Sequence, residues 1–240
     1  MSRAYGIEGI EDPSVTTVIG ILGKGDALLG WAAKCAVQFV RKNAEKLGLE
    51  KALELAGTQW KEAREEAADI GSEIHELIHK YIKFGKDANS VMRPEVENGF
   101  LAFLDWEKDH KVQWISTELQ VVSRVHGFAG TLDAICLFDG KKYLIDFKSS
   151  KGFYDGFDMQ LSAYRIAAAE IGHQTEGCGI LRLDKASGLP EWKDYSDKQD
   201  QAGAAFVSLV KFYYLQKNRK LKNNPFILNP KPINNKEVFV

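Results

Sequence analysis

Two apolar segments joined by an Asp-Gly turn each carry a carboxylate in their middle, and this restricts the fold more than any other feature. The segments cover residues 127–138 and 142–148, and the carboxylates are Asp133 and Asp146. Asp-Gly between runs of β-branched and aromatic residues predicts a β-hairpin with a two-residue turn. Such a turn pairs residues symmetrically, so Asp133 is predicted to face Asp146 with Cβ atoms roughly 4.5–5.5 Å apart.

Two carboxylates this close repel each other unless a cation lies between them. Lys148 follows Asp146 by two residues and is therefore predicted on the same strand face. Aspartate oxygens suit Mg²⁺ or Mn²⁺, which lower the pKa of bound water and stabilise charge on a phosphodiester under attack. The hairpin thus predicts a site for one or two such ions, with Lys148 placed to hold or deprotonate the water and to neutralise developing charge. A solubilising surface edge is the alternative, and the apolar flanks of both aspartates disfavour it.

The order of predicted elements is helices first and a sheet afterwards. Helices are predicted over 26–46, 49–56, 58–84 and 94–110, and strands over 113–122, 127–138 and 142–148. A helix over 158–171, strands over 178–183 and 191–195 and a last helix over 197–217 follow. Residues 1–25 are predicted to be loop-like, with a short extended piece at 13–17.

The hairpin is apolar on both faces, which predicts a sheet covered on both sides by helices. Leu132, Ala134 and Ile145 are predicted to point one way, and Ile135 and Leu144 the other. We therefore expect an α/β fold in which a mixed central sheet is flanked by helices and preceded by a helical N-terminal layer. The expected organisation is one domain over 1–240, with a helical part (1–111), a sheet core carrying the motifs (112–196) and a C-terminal helix and tail (197–240).

Composition narrows the classes of partner. The 240 residues, 45% of them hydrophobic, suffice for one sizeable core. A net charge of -1 gives no global positive field, so any contact with nucleic acid must use a local basic channel. Cys35, Cys136 and Cys178 form no CxxC pair and are expected to be free thiols in a reducing cytosol. Without a signal peptide or an apolar run of about 18 residues, a cytoplasmic location and no membrane contact are expected.

His75 lies in the predicted helix 58–84, next to the apolar ridge from Ile74 to Ile78. From there an imidazole can tilt toward the sheet and complete a site of two carboxylates and one nitrogen. Gly71, one turn earlier, costs about 1 kcal/mol in a helix interior and indicates a close approach by backbone or ligand. A single histidine on a helix is usually structural, so the hairpin is what favours a ligand role.

The same segment also matches a competing motif. Residues 75–79 read H-E-x-x-H, the zinc metallopeptidase signature, with His75 and His79 as ligands and Glu76 between them. Glu97 lies far enough downstream to act as a third zinc ligand. A peptidase would leave the paired aspartates and Lys148 without a role, so it remains the alternative enzyme. Under the favoured interpretation His79 is expected on the helix surface.

Gln160 and Tyr164 lie four residues apart on the predicted helix after the hairpin and so share one face. They can turn an amide and a phenol toward the site, to orient the water or the lysine and to touch a phosphate or base. Ser149, Ser150 and Lys151 directly follow the second strand and are predicted as phosphate-contact donors.

Four motifs together resemble a known family. They are G-x-x-D at 130–133, D-x-K at 146–148, Q-x-x-x-Y at 160–164 and a helical G-x-x-x-H at 71–75. This set resembles the PD-(D/E)XK nuclease superfamily and, within it, the RecB-like and Cas4-like exonuclease branch that includes the mitochondrial genome maintenance exonuclease and phage relatives. Pro13 to Thr17, with Trp31 downstream, is similar to the opening of the last two, so the resemblance covers roughly residues 13–185.

The resemblance implies a restriction-endonuclease-like core and Mg²⁺- or Mn²⁺-dependent cleavage of DNA phosphodiesters. It implies metal ligands at His75, Asp133, Asp146 and the backbone carbonyl of Phe147, with Lys148 catalytic and Glu118 as a weaker site candidate on the preceding strand. The family's proline before the second aspartate is replaced by isoleucine, which leaves the ligands intact. Three scattered cysteines cannot hold the four-cysteine iron–sulfur cluster of the Cas4 type, so no cluster is expected.

We therefore expect a metal-dependent DNA exonuclease acting on single-stranded or free DNA ends, in DNA repair, recombination or phage DNA processing, and encoded by a bacterium or phage. Its catalytic residues are predicted to be Asp133, Asp146, Lys148, Gln160 and Tyr164, with Tyr164 also touching DNA. A DNA-binding module with an inactive site is the non-enzymatic alternative. Whether a recombination or replication protein is a further partner stays open.

Overall fold

The computed structural model describes residues 4–7, 10–23, 25–85 and 92–217. The chain begins with a hairpin of β1 (Ala4–Ile7) and β2 (Ile10–Pro13), followed by a short helix α1 (Val15–Ile19) and a 3₁₀ turn at Gly20–Leu22. Ser14 caps α1, since its hydroxyl accepts a hydrogen bond from the Thr17 amide at 3.1 Å. The extended piece predicted for 13–17 is therefore wrong after Ser14, because the serine starts a helix.

Two long helices then form an antiparallel pair, α2 (Gly25–Leu47) and α3 (Leu49–Phe84), which turn at Gly48 with φ 82°. The interruption predicted near Thr58 is wrong, because α3 runs through it and the Thr58 hydroxyl bonds to the Leu55 carbonyl at 3.2 Å within the helix. Packing against α2 stabilises a stretch whose intrinsic helix propensity is low. Helix α4 (Pro94–Asp109) follows, with proline in its first turn.

The second half of the chain forms the sheet and its remaining helices: β3 (Val112–Ser123), β4 (Phe128–Phe138), β5 (Lys141–Lys148), α5 (Phe157–Glu170), β6 (Gly177–Leu183), β7 (Pro190–Asp194), a 3₁₀ turn (Ser196–Lys198) and α6 (Gln199–Gln216). The strands are ordered β3-β4-β5-β6-β7. Only β5 and β6 pair in parallel within this sheet, and α5 is the crossover between them. The expected α/β fold, with N-terminal helices and a mixed sheet flanked by helices, is confirmed.

Each face of the sheet carries its own apolar cluster. One cluster lies beneath α1, α5 and α6, and the other beneath α3 and α4. Ile135 and Leu144 belong to the first cluster and Ala134 and Ile145 to the second, as predicted. Leu132 was predicted to lie with Ala134 but packs in the first cluster, so the side-chain alternation of β4 is broken between them. The break falls at Asp133.

The β4–β5 turn has the predicted form. Asp139 and Gly140 have φ values of 50° and 81°, the left-handed pair that a type I′ turn requires. The ladder runs from Phe138↔Lys141 to Ala134↔Ile145, which is the symmetric register that the turn predicts. Within the part of the chain that the structure describes, no helix is both long enough and apolar enough to cross a membrane.

Candidate active site

The β4–β5 ladder ends one position short of the two aspartates. The last pair is Ala134↔Ile145, so the predicted cross-strand pairing of Asp133 with Asp146 is not formed. Instead the Asp133 carboxylate accepts a hydrogen bond from the Phe147 amide at 2.7 Å. The Asp133 side chain thus accepts the hydrogen bond of a β5 amide at the end of the ladder. The strand pairing ends where both carboxylates lie.

His75 on α3 faces Asp133. Its Nδ1 lies 3.5 Å from Asp133 Oδ1, and its ring meets Phe147 edge-on at 6.0 Å between centroids. Burial by itself lowers the pKa of His75, but the charge and hydrogen bond of Asp133 outweigh it and raise the pKa overall. Burial likewise raises the pKa of Asp133, but His75, Lys148 and the Phe147 amide together hold it below its usual value. The geometry therefore brings the predicted imidazole and first carboxylate together.

Glu118 completes a group of potential metal ligands. It lies on β3 between the paired positions Thr117↔Ala134 and Leu119↔Leu132, which places it across from Asp133. One ligand atom each of His75, Glu118 and Asp133 lies within 4.8 Å of the other two. Glu118 has φ 51°, a left-handed backbone that a non-glycine residue in a strand adopts at a cost of about 1–3 kcal/mol.

The donor set of this group, one imidazole nitrogen and two carboxylates, fits a divalent cation that accepts oxygen and nitrogen ligands, such as Mn²⁺. Asp146 is directed elsewhere, to Lys148, and lies outside the group. The Phe147 backbone enters the site through its amide, and the carbonyl ligand remains a prediction. No local sequence pattern predicts the left-handed backbone at Glu118. The family resemblance alone pointed to this residue, as a weaker site candidate.

Asp146 and Lys148 form a buried ion pair on β5. Asp146 is 1% exposed, and burial raises its pKa to about 6 although Lys148 opposes the rise. Burial lowers the pKa of Lys148, but Asp146 and Asp133 outweigh this and raise it overall, so the ammonium stays charged. The Lys148 Nζ also lies 5.4 Å from the centre of the Phe157 ring, a contact that sequence reasoning did not anticipate.

The two helical motifs pack directly on the strand motifs. The Gln160 amide donates to the Tyr164 hydroxyl at 3.4 Å, which confirms their shared face. Tyr164 packs on Gly130, where an added Cβ would lie 2.6 Å from the ring. A Cβ at Gly71 would lie 3.1 Å from Ser149 Oγ, so the close approach predicted at this glycine is made by a side chain.

The predicted DNA contacts have different surroundings. The Ser150 hydroxyl donates to the Gly152 carbonyl at 2.8 Å, within its own loop. Lys151 is exposed, and Ser149 is half-buried beside α3. Tyr164 is 5% exposed and has little surface to offer DNA.

The histidines of the H-E-x-x-H sequence have separate partners. His79 Nδ1 lies 3.4 Å from Thr117 Oγ1, while Glu76 is exposed and pairs with Lys80. Among the residues that the structure describes, the group of potential metal ligands that contains His75 includes neither His79 nor Glu76. Glu97, the predicted third zinc ligand, is exposed on α4 and also lies outside that group.

Comparison with known proteins identifies no family for the chain. No family model matches the sequence, and no curated protein matches it. Among solved structures the chain is similar to the crystal structure of SSO0001, with 17% sequence identity and a TM-score of 0.34. The match covers 67% of this chain and 82% of that one. A similarity this low does not bear on function, and no family is assigned from it.

Proposed function

We propose that the chain is a Mg²⁺- or Mn²⁺-dependent deoxyribonuclease that hydrolyses DNA from single-stranded or free ends. The observation that carries the proposal is the convergence of His75, Glu118 and Asp133 beside the buried pair of Asp146 and Lys148. These groups come from three strands and one helix, and a charged lysine next to a cluster of carboxylates suits the stabilisation of a phosphodiester. The resemblance of the four motifs to RecB-like nucleases supports the same activity.

Different residues of the site have different roles in the proposed reaction. His75, Glu118 and Asp133 would hold a divalent ion, which would supply Lewis-acid stabilisation of the phosphate and a lowered pKa for water. The Phe147 amide fixes the orientation of the Asp133 carboxylate. The Lys148 ammonium donates to a phosphate oxygen or to the attacking water, where charge develops in the transition state.

Packing keeps this arrangement in place. Asp146, buried on the same strand as Lys148, restrains the lysine through their ion pair. Gln160 and Tyr164 support the strand motif from α5 through the contact between Tyr164 and Gly130. We therefore assign the α5 pair a positioning role in the proposed reaction, with Gln160 as the member that is less buried.

End-labelled linear single-stranded DNA, end-labelled linear duplex DNA and internally labelled circular DNA, each with Mg²⁺, Mn²⁺ or EDTA, test the proposal. Cleavage of linear DNA is expected with either ion and not with EDTA, and Lys148→Ala is expected to lower the rate at least 100-fold. Lys141→Ala, an exposed lysine at the far end of the same strand, is the matched control and should cleave like wild type.

Other outcomes separate the alternatives. DNA binding without cleavage in any metal would support the inactive binding module. Cleavage of the circular substrate would contradict the exonuclease assignment but keep the nuclease. Casein hydrolysis that disappears in Glu76→Ala would support the zinc peptidase in its place.

A further inference from the structure

The loop between β5 and α5, residues 149–156, presents one open aromatic ring beside the candidate active site. Tyr154 is 56% exposed, and its ring lies edge-on to Phe157 with 5.9 Å between centroids. The Phe157 ring in turn lies 5.4 Å from the Lys148 Nζ. Two contacts of less than 6 Å therefore connect the lysine to an aromatic face in solvent.

The exposure of Tyr154 does not come from a loose loop. The Ser150 hydroxyl donates to the Gly152 carbonyl at 2.8 Å, and the Arg182 guanidinium donates to the Ser150 carbonyl at 3.3 Å. Phe153, the neighbour of Tyr154, packs against the apolar cluster beneath α5 and α6. The loop thus packs one aromatic side chain partly against the apolar cluster and presents the next one to solvent, while hydrogen bonds hold the residues just before them.

We propose that Tyr154 stacks on an unpaired nucleobase of the strand whose phosphate lies at Lys148, and that this contact gives the enzyme its preference for single strands. The inference rests on the proposed nuclease function and names its substrate class. Stacking on an aromatic side chain suits any base, because every base has a π face. Inside a duplex both faces of a base are covered by neighbouring base pairs, so only an unpaired or terminal base can stack on the ring.

The spacing and charge around the ring agree with this assignment. Successive phosphates along a strand are separated by roughly 3.4 Å of axial rise in a duplex and by more in an extended single strand. The two contacts place the Tyr154 ring within about 11 Å of the Lys148 Nζ, which is about three nucleotides at the duplex rise and fewer in an extended strand. Lys151, exposed in the same loop, offers a positive charge to an adjoining phosphate.

Fluorescence titration of 2-aminopurine oligonucleotides tests the contact apart from cleavage. Single strands and duplexes labelled near one end are titrated in EDTA with wild type, Tyr154→Ala and Tyr154→Phe. Phe212→Ala is the matched control, because Phe212 is 50% exposed on α6 and contributes nothing to the site. Tyr154→Ala should weaken single-strand binding roughly 5- to 100-fold and lose the stacking signal, whereas Tyr154→Phe and Phe212→Ala should retain both. Binding of a covalently closed circular duplex, which has no terminal base, should change less than about twofold.

A second readout uses the active enzyme with Mg²⁺. Tyr154→Ala should raise KM for single-stranded DNA by the same factor as it weakens binding, with kcat nearly unchanged. Wild-type protein that cleaves DNA while Tyr154→Ala matches it in affinity, signal and KM would overturn the stacking role and leave the nuclease intact. Wild-type protein that neither binds nor cleaves DNA would overturn both.

Discussion

Gly130→Ala should loosen the contact by which α5 supports the strand motif. The new Cβ would lie 2.6 Å from Tyr164 Cε1, whereas ordinary contacts begin at 3.4 Å, so the ring must retreat by about 0.8 Å. Val15 Cγ2, at 3.3 Å from the same Cβ, closes another side, and Tyr164 itself is buried. Overpacking of this kind costs about 1–3 kcal/mol, which lowers Tm by roughly 2–4 °C for each kcal/mol in a domain of this size.

Urea unfolding followed by tryptophan fluorescence measures this cost. Gly152→Ala is the control, because nothing lies within 4 Å of its added Cβ, and it should change stability by less than about 0.5 kcal/mol. In a Tyr164→Leu background the ring is gone, and Gly130→Ala should then cost clearly less than in the wild-type background, with only the Val15 contact left to oppose it. Equal costs for Gly130→Ala in the two backgrounds would refute the close packing of the glycine against the tyrosine.

Three further outcomes are expected. Mn²⁺ at 100 times its Kd should stabilise the protein by about 2.7 kcal/mol and raise its Tm. EDTA, or the Asp133→Asn substitution, should abolish this rise in Tm. A rise that survives in the variant would place the ion at another site. Gly71→Ala should raise the free energy of unfolding by up to about 1 kcal/mol through helix propensity. The increase should be larger in a Ser149→Ala background, because the new Cβ lies 3.1 Å from Ser149 Oγ in the wild type. Equal increases in the two backgrounds, measured by urea unfolding, would contradict this contact. The pKa of Asp184 is about 2, below its unfolded value, because its carboxylate accepts hydrogen bonds from the Ser187 and Ala186 amides and from Arg182. The stabilisation by this carboxylate is therefore present above about pH 4 and is lost as the pH falls through 2. Asp184→Ala should flatten this part of the curve of unfolding free energy against pH.

Local chemistry predicted the hairpin well. Turn preference alone gave the register from Phe138↔Lys141 to Ala134↔Ile145, because a two-residue turn leaves a single symmetric pairing. It failed at Asp133, where the carboxylate takes the Phe147 amide and ends the ladder. That hydrogen bond depends on the position of β5, so no sequence pattern within β4 predicts it.

The helical layer was harder to predict for the same reason. The residues at 13–17 suggested a short extended piece, but Ser14 caps a helix whose Val15 and Val18 are buried against the sheet. Gly57 and Thr58 suggested a break, but the partner helix stabilises the continuous form. In both places tertiary packing outweighs a local preference of about 1 kcal/mol.

The position of His75 along α3 has a mechanical consequence. At 36 residues the helix is about 54 Å long, but its buried isoleucines, Ile70, Ile74 and Ile78, all lie in the second half, where α3 meets the sheet. The described side chains of α2, along which the first half extends, are all at least partly exposed. His75 lies within the isoleucine ridge, so the part of α3 that holds the imidazole against Asp133 is also the part that is anchored in the apolar core of the sheet.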